Sequence, residues 1–185
     1  MLNEAVLFAR ECHKGQTRKT GEAYINHPKN VAGIVFVVKN SKNIEQLMSA
    51  CMLHDVVEDC GVSINEIRIK FGDMVASLVS ELTSSDSDRA KFNSKAEYLY
   101  DKMIRMTDYA LVIKLADRLD NVSGLQNCNA SFRKKYVKET EYIIDGLKAN
   151  RKNITNTQYR LIDQIQLMLG NYLELKKINV DDSNV

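Results

Sequence analysis

Apolar residues recur along most of this chain at spacings of three and four, the period of a helix that buries one face. No series of alternating strands joined by tight Asn-Gly or Asp-Gly hairpins is present. An all-α fold is therefore expected. Pro28, the single proline, opens an apolar segment that runs through Val38. Its ring suits a first helical turn, where the missing N–H has no partner to lose, so His27 stands at the mouth of a helix. Ile44, Leu47, Met48, Cys51 and Met52 predict a helix over about residues 43–58. It should close near Asp59-Cys60-Gly61, where glycine reaches a conformation closed to other residues. Ser63-Ile-Asn-Glu66 matches a capping box ahead of a short helix that stops around Phe71 and Gly72. Another helix closes over residues 78–82, and Ser94-Lys-Ala-Glu97 repeats the capping pattern before a helix through about Met106. Further helices are expected over about 108–126, 131–150 and 155–176. Between them, residues 83–93 read TSSDSDRAKFN, polar and without period, which predicts a mobile surface loop. The last nine residues are polar and are expected to fray, leaving 1–176 as one domain and 177–185 as its tail.

Composition narrows the class. The chain has 185 residues and 44% apolar content, enough for one sizeable core. Its 26 basic and 24 acidic residues give a net charge of +2, so no global field favours a nucleic acid, while a small anionic ligand needs only a local basic patch. Glu4, Arg10 and Glu11 interrupt the beginning of the sequence in a way unlike a signal peptide, and no apolar run approaches a membrane span, so a cytoplasmic protein is expected. Cys12, Cys51, Cys60 and Cys128 form no C-x-x-C pair and are read as buried free thiols.

Two of the three histidines stand in strongly polar context. His54 and Glu58 are four apart, as are Asp55 and Asp59, which points all four into a narrow sector of one helix. The preceding turns are apolar, so this acidic end emerges from a buried stripe, and acids at a helix C-terminus oppose its dipole and ask for compensation. Asp117 and Asn121 are four apart in another strongly apolar helix, where an isolated carboxylate is very expensive. Taken singly, each feature has a plainer reading: a hydrogen-bonded histidine, an acidic helix end, a solvated cluster of Asp117, Arg118 and Asp120. Taken together, a cation shared by His27, His54, Asp55 and Asp117 supplies the missing partner. Two imidazoles and two carboxylates suit an intermediate ion such as Mn2+ better than a soft, thiolate-bound zinc. Lys14, Arg18 and Lys19 cluster ahead of His27, and Lys114 and Arg118 flank Asp117. These are either solvated or placed to neutralise phosphates, arginine through a planar fork and lysine as a mobile point charge. Tyr24 either stacks on a base or covers the core, whereas Tyr136, Tyr142 and Tyr159 are expected to pack helices.

In order along the chain stand Ala9-Arg-Glu-Cys-His13-Lys-Gly-Gln-Thr-Arg18-Lys19, Gly21-Glu-Ala-Tyr24-Ile-Asn-His27-Pro28, Leu53-His54-Asp55-Val-Val-Glu58-Asp59, Phe71-Gly72 and Ile113-Lys-Leu-Ala-Asp117-Arg-Leu-Asp-Asn121. A bare His-Asp pair is a weak motif, but this ordered set resembles the hydrolase domain of the RelA/SpoT-type alarmone enzymes, in the HD superfamily, including the stand-alone small hydrolases of metazoan type. The resemblance implies a helical HD fold that uses one Mn2+ to remove the 3′-pyrophosphate from guanosine tetraphosphate or pentaphosphate. It also implies that His27, His54, Asp55 and Asp117 hold the metal. Glu58 and Asp59 then activate or position water and move protons, Asn121 stands beside the reaction centre, and Arg18 and Lys19 lie near the nucleotide. Three positions depart from the family pattern: Ala23 for proline, Cys60 for threonine or serine, and Asp120 for histidine or tyrosine. Asp120 is expected to add negative charge beside a polyanion pocket, and residues 83–93 lack the usual threonine-lysine continuation. Two other functions fit the same residues: hydrolysis of another nucleotide phosphate such as the 2′-phosphate of NADPH, and a catalytically weak alarmone-binding module. The 185 residues leave no room for a synthetase domain, so synthesis is not expected of them.

Overall fold

A computed structural model describes the backbone of residues 1–181 and the side chains of residues 1–172. The described residues form ten α-helices: α1 (Leu2–Cys12), α2 (Asn26–Val38), α3 (Ile44–Leu53), α4 (Val56–Cys60), α5 (Ile64–Leu82), α6 (Asp86–Arg89), α7 (Lys95–Arg105), α8 (Asp108–Ser123), α9 (Ala130–Asn150) and α10 (Asn156–Asp181). A 3-10 turn follows α8 at Leu125–Asn127. A lone antiparallel bridge between Thr17 and Ala23 closes the loop from α1 to α2. No helix among the described residues is long and apolar enough to cross a membrane.

The core is arranged around α8. Leu111, Val112, Ile113, Leu115 and Ala116 are all buried, so this helix is apolar on nearly every side and is enclosed by its neighbours. It packs against α2, α5 and α10, while α3 lies between α1, α2 and α5. Any charge carried by α8 therefore needs a partner within the protein or a ligand. On the far side α7 packs along α9, and Gly146 makes the approach possible: a Cβ there would meet the Tyr100 ring at 2.6 Å.

Both capping boxes form at their serines. The Glu66 N–H donates to Ser63 Oγ at 3.1 Å and the Glu97 N–H to Ser94 Oγ at 3.1 Å, starting α5 and α7 where the sequence placed them. The expected stop at Gly72 is a break within α5: Gly72 takes φ 84° and ψ 170°, and helix resumes at once.

Several expectations are corrected. The helix foreseen over 43–58 is two, with α3 ending at Leu53 and α4 starting at Val56. His54 Nδ1 bonds the Cys51 carbonyl at 2.7 Å, taking the acceptor that the Asp55 N–H would use in a continuous helix. The 83–93 segment is not a bare loop. It contains α6 and is strapped down at its start: Lys102 Nζ donates to the carbonyls of Leu82 and Thr83, the Ser84 N–H to Glu58 Oε1 at 2.5 Å, and the Ser85 N–H to the Tyr98 hydroxyl at 3.3 Å. The final helix passes Lys176 and reaches Asp181; residues 182–185 lie outside the described residues. All four cysteines are free, but only Cys51 is fully buried. Tyr142 and Tyr159 are exposed, Tyr142 meeting Tyr100 edge-on at 5.9 Å.

Candidate metal centre

Three separate elements deliver the central side chains. His27 comes from the first turn of α2, His54 and Asp55 from the break between α3 and α4, and Asp117 from the buried α8. One ligand atom from each of His27, His54 and Asp117 lies within 4.8 Å of the other two. His27 Nε2 stands 3.1 Å and His54 Nε2 3.9 Å from Asp117 Oδ1. Asp55 is not a member of that mutual set of three. Its Oδ2 is nevertheless 3.2 Å from His54 Nε2 and 3.7 Å from His27 Nε2.

The protonation pattern tests whether a cation fits. His54 Nδ1 faces a carbonyl, which only accepts, so this nitrogen carries the hydrogen and Nε2 is left with a lone pair. That Nε2 is buried, has no hydrogen-bond partner and is turned toward two carboxylates. A lone pair facing anions is unfavourable until a cation stands between them. His27 is oriented toward the same centre, because its Nδ1 lies 2.6 Å from Asp120 Oδ2 and leaves Nε2 facing Asp117. The donor set, two imidazole nitrogens with carboxylate oxygens and no thiolate, fits a divalent ion of intermediate softness.

Charge is finely balanced here. Burial pushes the His27 imidazolium down, but the carboxylates of Asp117, Asp120 and Asp55 more than offset it and hold its pKa at about 9. Burial would raise the Asp117 carboxyl, yet Lys114 and His27 keep it well below the ordinary range. Lys114 is itself desolvated and still held up by Asp117, whose Oδ2 it meets at 2.9 Å. Burial, then Asp55 and Asp59, push the Tyr24 phenol far up, so it stays protonated and donates to Asp55 Oδ2 at 2.6 Å.

The other predicted site residues separate by what they touch. Asn121 Nδ2 donates to Asp117 Oδ1 at 2.6 Å, and its Oδ1 accepts from Arg18 Nη2 at 2.9 Å. Glu58 and Asp59 are exposed at the rim of the cavity above the histidines. Lys19 lies over the Phe132 ring, 3.7 Å from its centroid. Arg118 reaches the cavity wall but is buried, donating to Thr140 Oγ1 at 2.9 Å and Glu139 Oε1 at 3.1 Å with its guanidinium over Tyr136. Tyr136 is thus a cavity-wall residue and not only a packing one.

Asp120 has a further role that its sequence position does not show. Its carboxylate accepts from His27 Nδ1 and, at 2.9 Å, from Asn30 Nδ2, with Arg18 Nη2 at 3.8 Å. It orients a histidine while also lining the second hollow. The i, i+3 spacing from Asp117 was visible, but the partner on α2 was not. His13, the third histidine, was not singled out; it is buried and stacks on Tyr24 with centroids 4.6 Å apart, backing the ring that holds Asp55.

Two adjoining hollows open over these residues. One, of about 510 Å³, is lined by His27, Asp55, Asp117 and the rim acids; the other, of about 540 Å³, by Lys19, Leu125 and Phe132. Arg18, Tyr24, Asn121 and Tyr136 belong to both.

A family model described as "HD domain" matches residues 5–155. Guanosine-3′,5′-bis(diphosphate) 3′-pyrophosphohydrolase of Aquifex aeolicus is 37% identical over 165 residues, covering 88% of this chain and 23% of the relative. The bifunctional (p)ppGpp synthase/hydrolase SpoT of Escherichia coli is 36% identical over 166 residues, covering 86% of this chain and 23% of the relative. This chain thus spans about a quarter of the length of those curated relatives. The solved structure of a metazoan ortholog of SpoT, which hydrolyzes ppGpp and plays a role in starvation responses, superposes with a TM-score of 0.75 at 26% identity, covering 92% of this chain and 94% of the other. With three helices converging on His27, His54 and Asp117 inside an all-α fold, the chain belongs to the HD-domain family and is closely related to the RelA/SpoT-type alarmone hydrolases.

Proposed function

We propose that this chain is an Mn2+-dependent 3′-pyrophosphohydrolase of guanosine tetraphosphate and pentaphosphate, with His27, His54, Asp55 and Asp117 as ligands of one ion. The observation that carries the reading is the buried, unpartnered Nε2 of His54, aimed with His27 Nε2 at the Asp117 carboxylate. When bound, the ion lowers the pKa of a water and offsets charge on the attacked phosphoryl group. Glu58 and Asp59 at the rim orient the attacking water and receive its proton. The new bond joins the water oxygen to the 3′-linked phosphorus, the bond from that phosphorus to the 3′ oxygen breaks, and the 3′ oxygen takes up a proton. Pyrophosphate and GDP or GTP leave. Lys114 neutralises phosphate oxygens beside Asp117, and Asn121 holds Asp117 and Arg18 in register across the two hollows. The nucleoside occupies the second hollow, where Arg18 and Lys19 present flat and cationic surface. Arg118 acts mainly by fixing the wall, since both of its Nη nitrogens are engaged by α9.

Product analysis on guanosine tetraphosphate, ordinary nucleotides and NADPH, each with Mn2+ and with chelator, tests this. Pyrophosphate release from the alarmone, abolished by chelator, is the expected result. Phosphate release from NADPH alone would replace the substrate, and tight alarmone binding without product would replace catalysis with sensing. Glu58→Gln should lower kcat at unchanged metal content; equal loss of both would make Glu58 structural.

A further inference from the structure

Part of the wall of the metal-side hollow comes from the strap and the start of α7, and it carries cations that the mechanism above does not use. Arg18, Lys114 and Arg118 line the same hollow, and each is engaged by a partner: Asn121, Asp117 and Glu139 respectively. Arg89 and Lys95 also line it, and among the described residues neither side chain makes an ion pair or hydrogen bond with an acid. Lys95 is the first residue of α7, where a cation opposes the helix dipole. Desolvation lowers its pKa, and although Glu139 raises it, Arg118, Lys114 and Arg89 push it down further. Five cations lining one hollow, two of them without an acid partner and one at the wrong end of a helix, form a local conflict that an incoming anion relieves.

The layout says which anion. Arg18, Tyr24 and Asn121 face both hollows, whereas Arg89 and Lys95 face only the metal-side one. A nucleotide with its base in the second hollow and its 3′-linked phosphorus over the histidines directs its remaining 3′ phosphate at the strap. The geometry points to Arg89 and Lys95 as a clamp for that outer phosphate, the half of the released pyrophosphate farther from the nucleoside. The assignment rests on the pyrophosphohydrolase reading, and inorganic pyrophosphate probes it without turnover. Calorimetry of the Mn2+-loaded protein should show pyrophosphate binding weakened about tenfold by Lys95→Gln and by Arg89→Gln, with GDP binding changed less than about twofold. Lys95→Arg should restore most of the affinity, and the loss should shrink as salt rises. KM for guanosine tetraphosphate should rise in parallel at nearly constant kcat. Both residues are exposed, so thermal melts should be unchanged, which separates binding from folding. Unaltered pyrophosphate affinity, or a loss that falls on GDP instead, would overturn the clamp while leaving hydrolysis by the wild type intact. A wild type that binds pyrophosphate through Lys95 but releases none from the alarmone would overturn the substrate and keep the clamp.

Discussion

On the floor of the cavity each charged side chain is held by another: Asp120 and His27 at 2.6 Å, Asn121 and Asp117 at 2.6 Å, Lys114 and Asp117 at 2.9 Å. In the same hollow, the strap and α7 present Arg89 and Lys95 with no such partner among the described residues. The floor grows out of the apolar centre, where α8 is enclosed and an unheld charge is prohibitive. The strap lies at the surface, where water tolerates an unpaired cation and a ligand competes only with solvent. One half is organised before anything binds; the other is completed by what binds. Damage to the floor should therefore appear first in metal occupancy, and damage to the strap in substrate affinity.

The sharpest break of that contrast is Asp117→Ala. It removes the carboxylate shared by His27, Lys114 and Asn121, so activity and metal binding should both be lost, at a cost to stability of about 3–5 kcal/mol from buried groups left uncompensated. Helical content should persist by circular dichroism. A variant that keeps its metal would show that the floor does not depend on α8. Asp120→Asn is the next largest: it leaves every proposed ligand in place and should weaken Mn2+ binding about 10–100-fold by loosening His27. Metal titration by chelator competition reads this directly, and an unchanged affinity would mean that Asp120 only packs. The smallest effect concerns pH. In metal-free protein His27 is held at about 9 against an ordinary 6.5, so the stability it contributes is complete below about pH 6.5 and is lost as pH climbs toward 9. With Mn2+ saturating, the ring is already neutral and this decline should vanish. Melting temperatures from pH 6 to about 9.5 with chelator and with Mn2+ would check it. Parallel curves would mean that the carboxylates do not hold His27 charged in the metal-free floor.

Local chemistry was readable and long-range chemistry was not. Ser63, Ser94 and Pro28 announce helix starts because a cap or a missing N–H acts within one turn. The convergence of His27, His54 and Asp117 was suggested by buried charge that lacked any local partner. The break at His54 was hidden because periodicity runs straight through it; only a side chain turning back on Cys51 ends the helix. The strap looked structureless because Lys102, Glu58 and Tyr98, which fasten it, are remote in sequence or belong to other helices. Asp120 is legible in part for the same reason: its sign can be read from the sequence and its neighbours on α2 cannot.

The missing methyl group at Gly146 reaches further than its position suggests. Any larger residue there must displace the Tyr100 ring, and the helix bearing that ring also bears Lys95 and Tyr98. A larger residue at position 146 would thus press on a helix that carries two cavity-lining residues, from a position that lines neither hollow. Selection for new nucleotide preferences that randomised only the lining residues would never sample it.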